Sequence, residues 1–202
     1  KEKEEETKKE EQIPKEEPKE NTSSELTQEQ FDLLRSYVQN DEKQRQDLID
    51  DYGKDNIPKF INIAKNYMES IYNFDYRMDF ETYFSRIIPY TVDDYAERIW
   101  FKREYESLAE HKFIIEVKFL TDEYFVYHDG GPEVIGLFLF RIKSAEGNFR
   151  EDWFGEYDYE LGKWYQVPYE VYIGTGLKGE AFKTYYADGF KHIGPVMPVE
   201  GD

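Results

Sequence analysis

The stretch HKFIIEVKFL, residues 111–120, is where the hydrophobic pattern of this chain changes its period. Upstream of it, a large apolar residue recurs every three or four residues, which is typical of amphipathic helices. Within it, every second residue is apolar, which is typical of a half-buried strand: Phe113, Ile115, Val117 and Phe119. The pattern therefore predicts helices first and strands afterwards.

Four helices are predicted upstream of this change. An amphipathic helix over 27–53 begins at a capping box, Thr27 with Gln30, and ends at Gly53. The other three are expected to begin near Asn56–Pro58, Phe80 and Thr91. In the last of them, the inward positions are expected to be Tyr95, Ile99, Tyr105 and Leu108.

Turn residues divide the downstream part into strands. The first strand is expected to continue through Tyr124–Tyr127, and the turn Asp129–Pro132 leads to an apolar strand over Val134–Lys143. A third strand is expected from Phe149 to Tyr159 and a fourth over Trp164–Ile173, where Pro168 indicates an edge or a bulge. These elements predict an α+β fold, with N-terminal helices packed on a curved antiparallel sheet of about four strands.

Composition divides the chain into four parts. Residues 1–26 hold 6 Lys, 10 Glu and no aromatic residue, which predicts a disordered charged tether or, alternatively, a solvated helix held by i,i+4 pairs. Residues 27–53 form an additional helix, and 54–175 form the α+β domain. The C-terminal extension, 176–202, is expected either to pack back on the domain or to form a small hairpin.

Charge and cysteine content exclude several classes of function. The net charge is −18 and no basic cluster occurs, which argues against nucleic acid or an anionic membrane surface as a partner. The acidity serves solubility in the simplest interpretation, with a cationic partner as the alternative. Without cysteine, the chain has no disulfide, thiolate nucleophile or sulfur-ligated metal.

The sequence lacks the usual signatures of an enzyme. It has no nucleophile elbow, phosphate-binding loop or His-x-x-x-His pair, and its histidines are His111, His128 and His192. His128 and Asp129 are adjacent, so on a strand their side chains point to opposite faces. We therefore expect no catalytic residue, no metal and no cofactor.

Aromatic residues are the feature of the sequence most suited to binding a partner protein. Many of them gather between positions 153 and 172, and a sheet with helices on one side can bury only one set. Because Trp and Tyr are favoured at interfaces, we predict a partner-binding sheet surface at Trp153, Phe154, Tyr157, Tyr165, Tyr169 and Tyr172. The alternative is that the first helix or the C-terminal extension covers this second face.

Residues 57–173 resemble the nuclear transport factor two-like fold of the cystatin-like superfamily. The resemblance is carried by Ala64-Lys65-Asn66-Tyr67-Met68, Asn73-Phe74-Asp75-Tyr76 and Gly162-Lys163-Trp164. It implies a cone-shaped domain like those of Gram-positive conjugation proteins, related to type IV secretion assembly factors, and of certain lipoproteins.

The resemblance implies a non-catalytic, extracytoplasmic scaffold anchored to the cell membrane, in complex with other protein subunits of the envelope. Self-association through the helices or the sheet is also expected. The chain begins with Lys1, so either a signal peptide or membrane anchor has been removed or the sequence is a truncated piece, and export is the expectation. The alternatives are a surface lipoprotein that binds a small hydrophobic ligand in the cone and, third, an isomerase- or dehydratase-like enzyme.

Overall fold

A computed structural model describes residues 26–37, 41–91, 95–120, 125–128, 131–146, 159–174, 183–186 and 197–199. Five helices are seen in these ranges: α1 (Gln28–Tyr37), α2 (Asp41–Tyr52), α3 (Ile57–Tyr72), α4 (Phe80–Ile87) and α5 (Tyr95–Glu110). The strands are β1 (Phe74–Asp75), β2 (Ile114–Phe119), β3 (Phe125–His128), β4 (Gly131–Ser144), β5 (Tyr165–Gly174), β6 (Lys183–Tyr186) and β7 (Met197–Pro198). The predicted α+β class and antiparallel sheet are confirmed.

The sheet is built on β4, the longest strand. Its described order is β1-β2-β4-β5-β6, and every pair is antiparallel. β2 and β3 lie end to end along one side of β4, opposite residues 138–144 and 131–134 respectively. The first predicted strand therefore does continue past an interruption. The turn was expected over Asp129–Pro132, but Gly131 and Pro132 already belong to β4 and pair with His128 and Tyr127.

The main core lies between α3, α4, α5 and the inner face of the sheet. α3 contributes the stripe that its spacing predicts, Phe60, Ala64, Tyr67, Met68 and Ile71, all buried. The sheet contributes alternate residues of β2, β4 and β5, including Val117, Phe138 and Tyr169. Aromatic rings fill much of this space in edge-to-face pairs, such as Tyr67 with Phe101.

Two predictions about the helices are wrong. The single helix expected over 27–53 is two helical segments, α1 and α2, which pack on different strands, β4 and β3. Tyr95 does not face inward: it is 82% exposed, and Phe101 is buried instead. Phe101 and Leu108 are seven residues apart and share one helix face, whereas Tyr95 lies about 240° around the helix from Phe101.

Helix ends largely follow the predicted capping residues. The Thr27 hydroxyl accepts from the Gln30 backbone N–H at 3.2 Å, and the Gln30 side chain accepts from the Thr27 N–H at 2.8 Å. Gly53 ends α2 at φ +84°, where a side chain would be strained, and its N–H donates to the Ile49 carbonyl. Asp79, which the pattern did not single out, caps α4 by accepting from the Thr82 N–H.

The C-terminal extension packs back on the domain through β6 and β7, which both pair with β5. β7 lies opposite 165–166 and β6 opposite 172–174, so Pro168 falls between these two described partners. The β4–β5 register runs through Pro168 without a shift, so no bulge is seen there. β5 lies between β4 and its partners β6 and β7, so it is not an edge strand either. The third predicted strand, from Phe149, lies almost wholly outside the described residues.

Candidate interaction surface

The outer face of the sheet, opposite the main core, carries two different surfaces. Over the middle of β4, α1 covers Ile135 and Leu137 with Leu34, and all three are buried. Towards the end of β4, the outward residues are charged. α1 therefore covers the outer face over this part of β4. That it also covers the aromatic residues between 153 and 172 stays a prediction.

Strand alternation places the charged residues outside. In Arg141-Ile142-Lys143, Ile142 points into the core and the two cations point outward, and in β2 Glu116 and Lys118 alternate with buried Ile115, Val117 and Phe119. Glu116 stands directly opposite Arg141 in the β2–β4 register. Trp164 lies just before β5. We give the name Trp164 cluster to the group formed by Trp164, Glu116, Lys118, Arg141 and Lys143.

A turn holds Trp164 against these strands. Gly162 adopts φ +82°, and its N–H donates to the Ile142 carbonyl at 2.7 Å, which ties the turn to β4. On the other side, the Trp164 carbonyl accepts from the Val199 N–H at 3.1 Å. The Gly162-Lys163-Trp164 motif that opens the last strand therefore positions an indole ring on the outer face.

Two cations contact the indole of Trp164. The Arg141 guanidinium carbon lies 4.2 Å from the ring centre and the Lys118 ammonium 5.3 Å, within the range of cation–π attraction. The Trp164 side chain is half-buried. The ring is thus held in place and remains partly available to another molecule.

Glu116 neutralises part of this charge. Its carboxylate accepts from Arg141 Nε at 2.6 Å and forms an ion pair with Lys143. Partial burial acts to raise the pKa of Glu116, but hydrogen bonds from Lys143 and Arg141 outweigh it, and the pKa is lowered. Lys118 has no carboxylate contact among the described residues, so the cluster carries three cations and one carboxylate.

These contacts orient the side chains more than they stabilise the fold. The exposed fractions of the Arg141, Glu116 and Lys143 side chains are 24%, 34% and 42%, so water screens their attraction. Partly exposed ion pairs contribute only about 0–1 kcal/mol, and exposed cation–π pairs about 0.5–1 kcal/mol. A ring already fixed in place loses less conformational entropy on binding, which favours a role in recognition.

The predicted aromatic surface is only partly described. Tyr165 and Tyr169 lie on the inner face and are buried, with exposed fractions of 8% and 0%, so they belong to the core. Tyr172 lies on the outer face and is half-buried. Trp153, Phe154 and Tyr157 lie outside the described residues, and their part of the surface stays a prediction.

The interior of the domain holds a tyrosine pair where α3 meets β5. The hydroxyls of Tyr72 and Tyr169 are 3.3 Å apart, and the two rings pack edge to face. Burial, followed by the neighbouring Tyr169, raises the pKa of Tyr72 well above its usual value, so the Tyr72 hydroxyl stays neutral. This pair suits hydrogen bonding within the core and not proton transfer near neutral pH.

The remaining candidate groups have structural roles in the described part of the chain. His111 Nδ1 lies 2.9 Å from the Ser107 carbonyl at the end of α5, an ordinary helix-end contact. The side chains of His128 and His192 are not described. In the described ranges, no cluster of three or more His, Asp or Glu could hold a metal ion, and no helix has the length and apolarity to cross a bilayer.

Comparison with known proteins finds a solved structure that aligns with this chain at a low TM-score. No protein-family profile matches the chain, and no curated protein matches it. A crystal structure of an IcmL-like type IV secretion system protein from Legionella pneumophila aligns with a TM-score of 0.41 and 14% identity. The alignment covers 71% of this chain and 94% of that one. At this score and identity the similarity carries no argument about function.

Proposed function

We infer that this chain is a non-catalytic assembly component of an envelope-associated protein complex, which it joins through the Trp164 cluster. The observation that supports the proposal most directly is the half-buried indole of Trp164, held by Arg141 and Lys118. Trp and Arg are enriched among the residues that dominate binding energy at protein interfaces.

The resemblance of residues 57–173 supplies the finer part of the proposal. The complex is a conjugative secretion apparatus of the type IV kind in a Gram-positive bacterium, and the domain acts outside the cytoplasm. In this proposal the charged segment 1–26 links the domain to the membrane. No catalytic step, metal or cofactor belongs to this role.

Site-specific photo-crosslinking in the native cell tests the proposal. A photoreactive amino acid replaces Lys143, which pairs with Glu116 in the Trp164 cluster, or Tyr95, which is 82% exposed on α5 and serves as the matched control. We expect the Lys143 position to capture a defined subunit of a membrane-bound complex, identified by mass spectrometry, and the Tyr95 position not to capture it.

Substitutions of Trp164 test whether crosslinking of the partner depends on the indole ring. Trp164→Ala should reduce the yield at Lys143 at least tenfold, Trp164→Phe should retain part of it, and Tyr95→Ala should leave it unchanged. Thermal unfolding of each variant confirms that the domain is folded. Equal capture from both positions, or none at Lys143, contradicts the proposal and turns attention to small ligands of the interior.

A further inference from the structure

Lys118 differs from the other two cations of the Trp164 cluster in how its charge is balanced. Arg141 and Lys143 both contact the carboxylate of Glu116. Lys118 is exposed, and within the described ranges its ammonium contacts the ring of Trp164 and no carboxylate. Because an ammonium has three N–H donors and a ring face satisfies none of them fully, Lys118 can still bind an acceptor on another molecule.

Glu116 does not balance the charge of Lys118. The two residues are neighbours on the outer face of β2, but the Glu116 carboxylate is directed to Arg141 and Lys143 on β4. A turn of this carboxylate towards Lys118 would only move the unbalanced charge to β4. Three cations against one carboxylate leave two positive charges on the cluster, although the net charge of the chain is −18.

Two further groups next to Lys118 are suited to the same partner. The indole N–H of Trp164 has no acceptor in the part of the chain that the structure describes, and the side chain is half-buried. Leu139 lies directly opposite Lys118 in the β2–β4 register, on the outer face, and is also half-buried. On β4 it lies between Leu137, which α1 covers, and Arg141. The surface therefore joins two N–H donor groups to a small apolar area.

A carboxylate fits these groups better than a neutral polar group does. It only accepts hydrogen bonds, and its two oxygens can accept from the Lys118 ammonium and the Trp164 indole N–H together. Hydrogen bonds between charged partners are about twice as strong as neutral ones. A carbonyl or hydroxyl oxygen would accept from the same donors but would leave both positive charges of the cluster unbalanced.

We propose that the Trp164 cluster binds an acidic segment of a partner protein, in which an Asp or Glu carboxylate contacts Lys118 and an adjoining apolar side chain packs on Leu139. The inference rests on the function proposed above, because it names the chemistry of the partner that meets this cluster. The rest of the acidic chain repels such a segment, so charge complementarity directs it to the cluster.

Zero-length coupling with a carbodiimide tests the contact on the full chain in native membranes. The reagent activates a carboxylate, which then forms an amide bond with a lysine amine that touches it. We expect mass spectrometry to find Lys118 joined to an Asp or Glu of the protein that is captured from Lys143. Lys118→Arg keeps the positive charge but has no amine to couple, so this adduct should disappear while photo-crosslinking at Lys143 stays within about twofold.

Charge substitutions separate this inference from the function on which it rests. Lys118→Glu should lower capture at Lys143 by about tenfold or more, whereas Lys65→Glu, at an exposed position of α3, makes the same change in net charge and should leave capture unchanged. Capture that depends on Trp164 but not on Lys118 overturns the inference and leaves the proposed function in place, while absence of capture at Lys143 removes both.

The coupled residue and a lipid control identify other occupants. An adduct of Lys118 with a carboxylate of its own chain, or no adduct at Lys118, contradicts an acidic partner segment. Binding of the purified chain to phosphatidylglycerol vesicles that is lost in Lys118→Glu would assign the cluster to a membrane surface and overturn the inference as well. Thermal unfolding of each variant confirms that the domain is folded.

Discussion

Two glutamates on the outer face of the sheet illustrate how position sets the chemistry of a single residue. In the β4–β5 register, Glu133 lies opposite Tyr172 and Glu170 lies opposite Ile135, so the two carboxyl groups are diagonal neighbours on one face. Burial, a hydrogen bond with Glu170 and repulsion from its charge raise the pKa of Glu133 to about 8. Glu133 therefore keeps its proton at neutral pH.

Stability should decrease as the pH rises through this range. The usual pKa of 4.5 applies to Glu133 in the unfolded chain, and the folded value is about 8, so the folded state binds more protons between them. The free energy of unfolding should fall from about pH 4.5 to about pH 8 and then level off. Because the site is partly exposed, we expect a change on the order of 2 kcal/mol after allowance for screening.

Urea unfolding of the unmodified chain and of Glu133→Gln between pH 5 and 9 measures the effect. The substitution removes the titrating proton and should flatten the slope, whereas Glu110→Gln, at an exposed position at the end of α5, should leave it unchanged. An identical slope in Glu133→Gln and the unmodified chain would refute the assignment of this pH dependence to Glu133.

At the scale of elements, α3 closes one edge of the sheet. β1 pairs with only two residues of β2. Further along β2, two backbone N–H groups on this edge donate to side chains at the end of α3 instead of to a strand. Asn73 Oδ1 accepts from the Val117 N–H at 2.8 Å, and Glu69 Oε1 accepts from the Phe119 N–H at 3.2 Å. Arg86 of α4 donates to the Asn73 and Glu69 carbonyls and holds this end of α3 in place.

Removing one of these acceptors should destabilise the domain. Asn73→Ala leaves the part-buried Val117 N–H without its acceptor, and we expect a loss of roughly 1–3 kcal/mol in the free energy of unfolding. Asn73→Asp retains an acceptor oxygen and should lose less, and Lys65→Ala on the exposed side of α3 should lose almost nothing. Denaturant titration checks the order, and an equal loss in Ala and Asp variants would argue against the edge contact.

The sequence predicts elements of this protein better than it predicts their contacts. The periodicity of α3 was enough to assign its buried face. Strand alternation in β5 separates Tyr165 and Tyr169 from Tyr172, but all three were predicted on the partner-binding surface, and the burial of Tyr165 and Tyr169 shows that part of the prediction to be wrong. The Trp164 cluster was missed because its contacts join residues more than 20 positions apart along the chain. The division of 27–53 into α1 and α2 was missed because the polar residues 40–47 are compatible with one exposed helix.

At the scale of the whole molecule, excess negative charge opposes the compact state. The net charge is −18, and such an excess destabilises a folded chain by self-repulsion. Added salt shortens the range of this repulsion, from about 30 Å at 0.01 M to about 8 Å at 0.15 M. Salt therefore acts on the molecule as a whole and not on one site.

The midpoint of thermal unfolding should rise when sodium chloride is raised from 10 to 150 mM, by a few degrees. Scanning calorimetry at constant pH measures it, with an equal osmolarity of sucrose as the control for effects unrelated to charge. A falling midpoint would instead show that attractive ion pairs, such as Arg98 with Glu81, outweigh the repulsion.

The pairing of β6 and β7 with β5 determines how a C-terminal truncation should affect aggregation of this protein. A version that ended at Gly174 would keep every described helix and the inner strands, but it would lose both C-terminal partners of β5. The opposite side of the sheet is closed by α3, so the ten-residue β5 would become the open edge on which other chains could add. Such a version should form fibres or precipitate, with a β5–β5 seam at the centre of the aggregate.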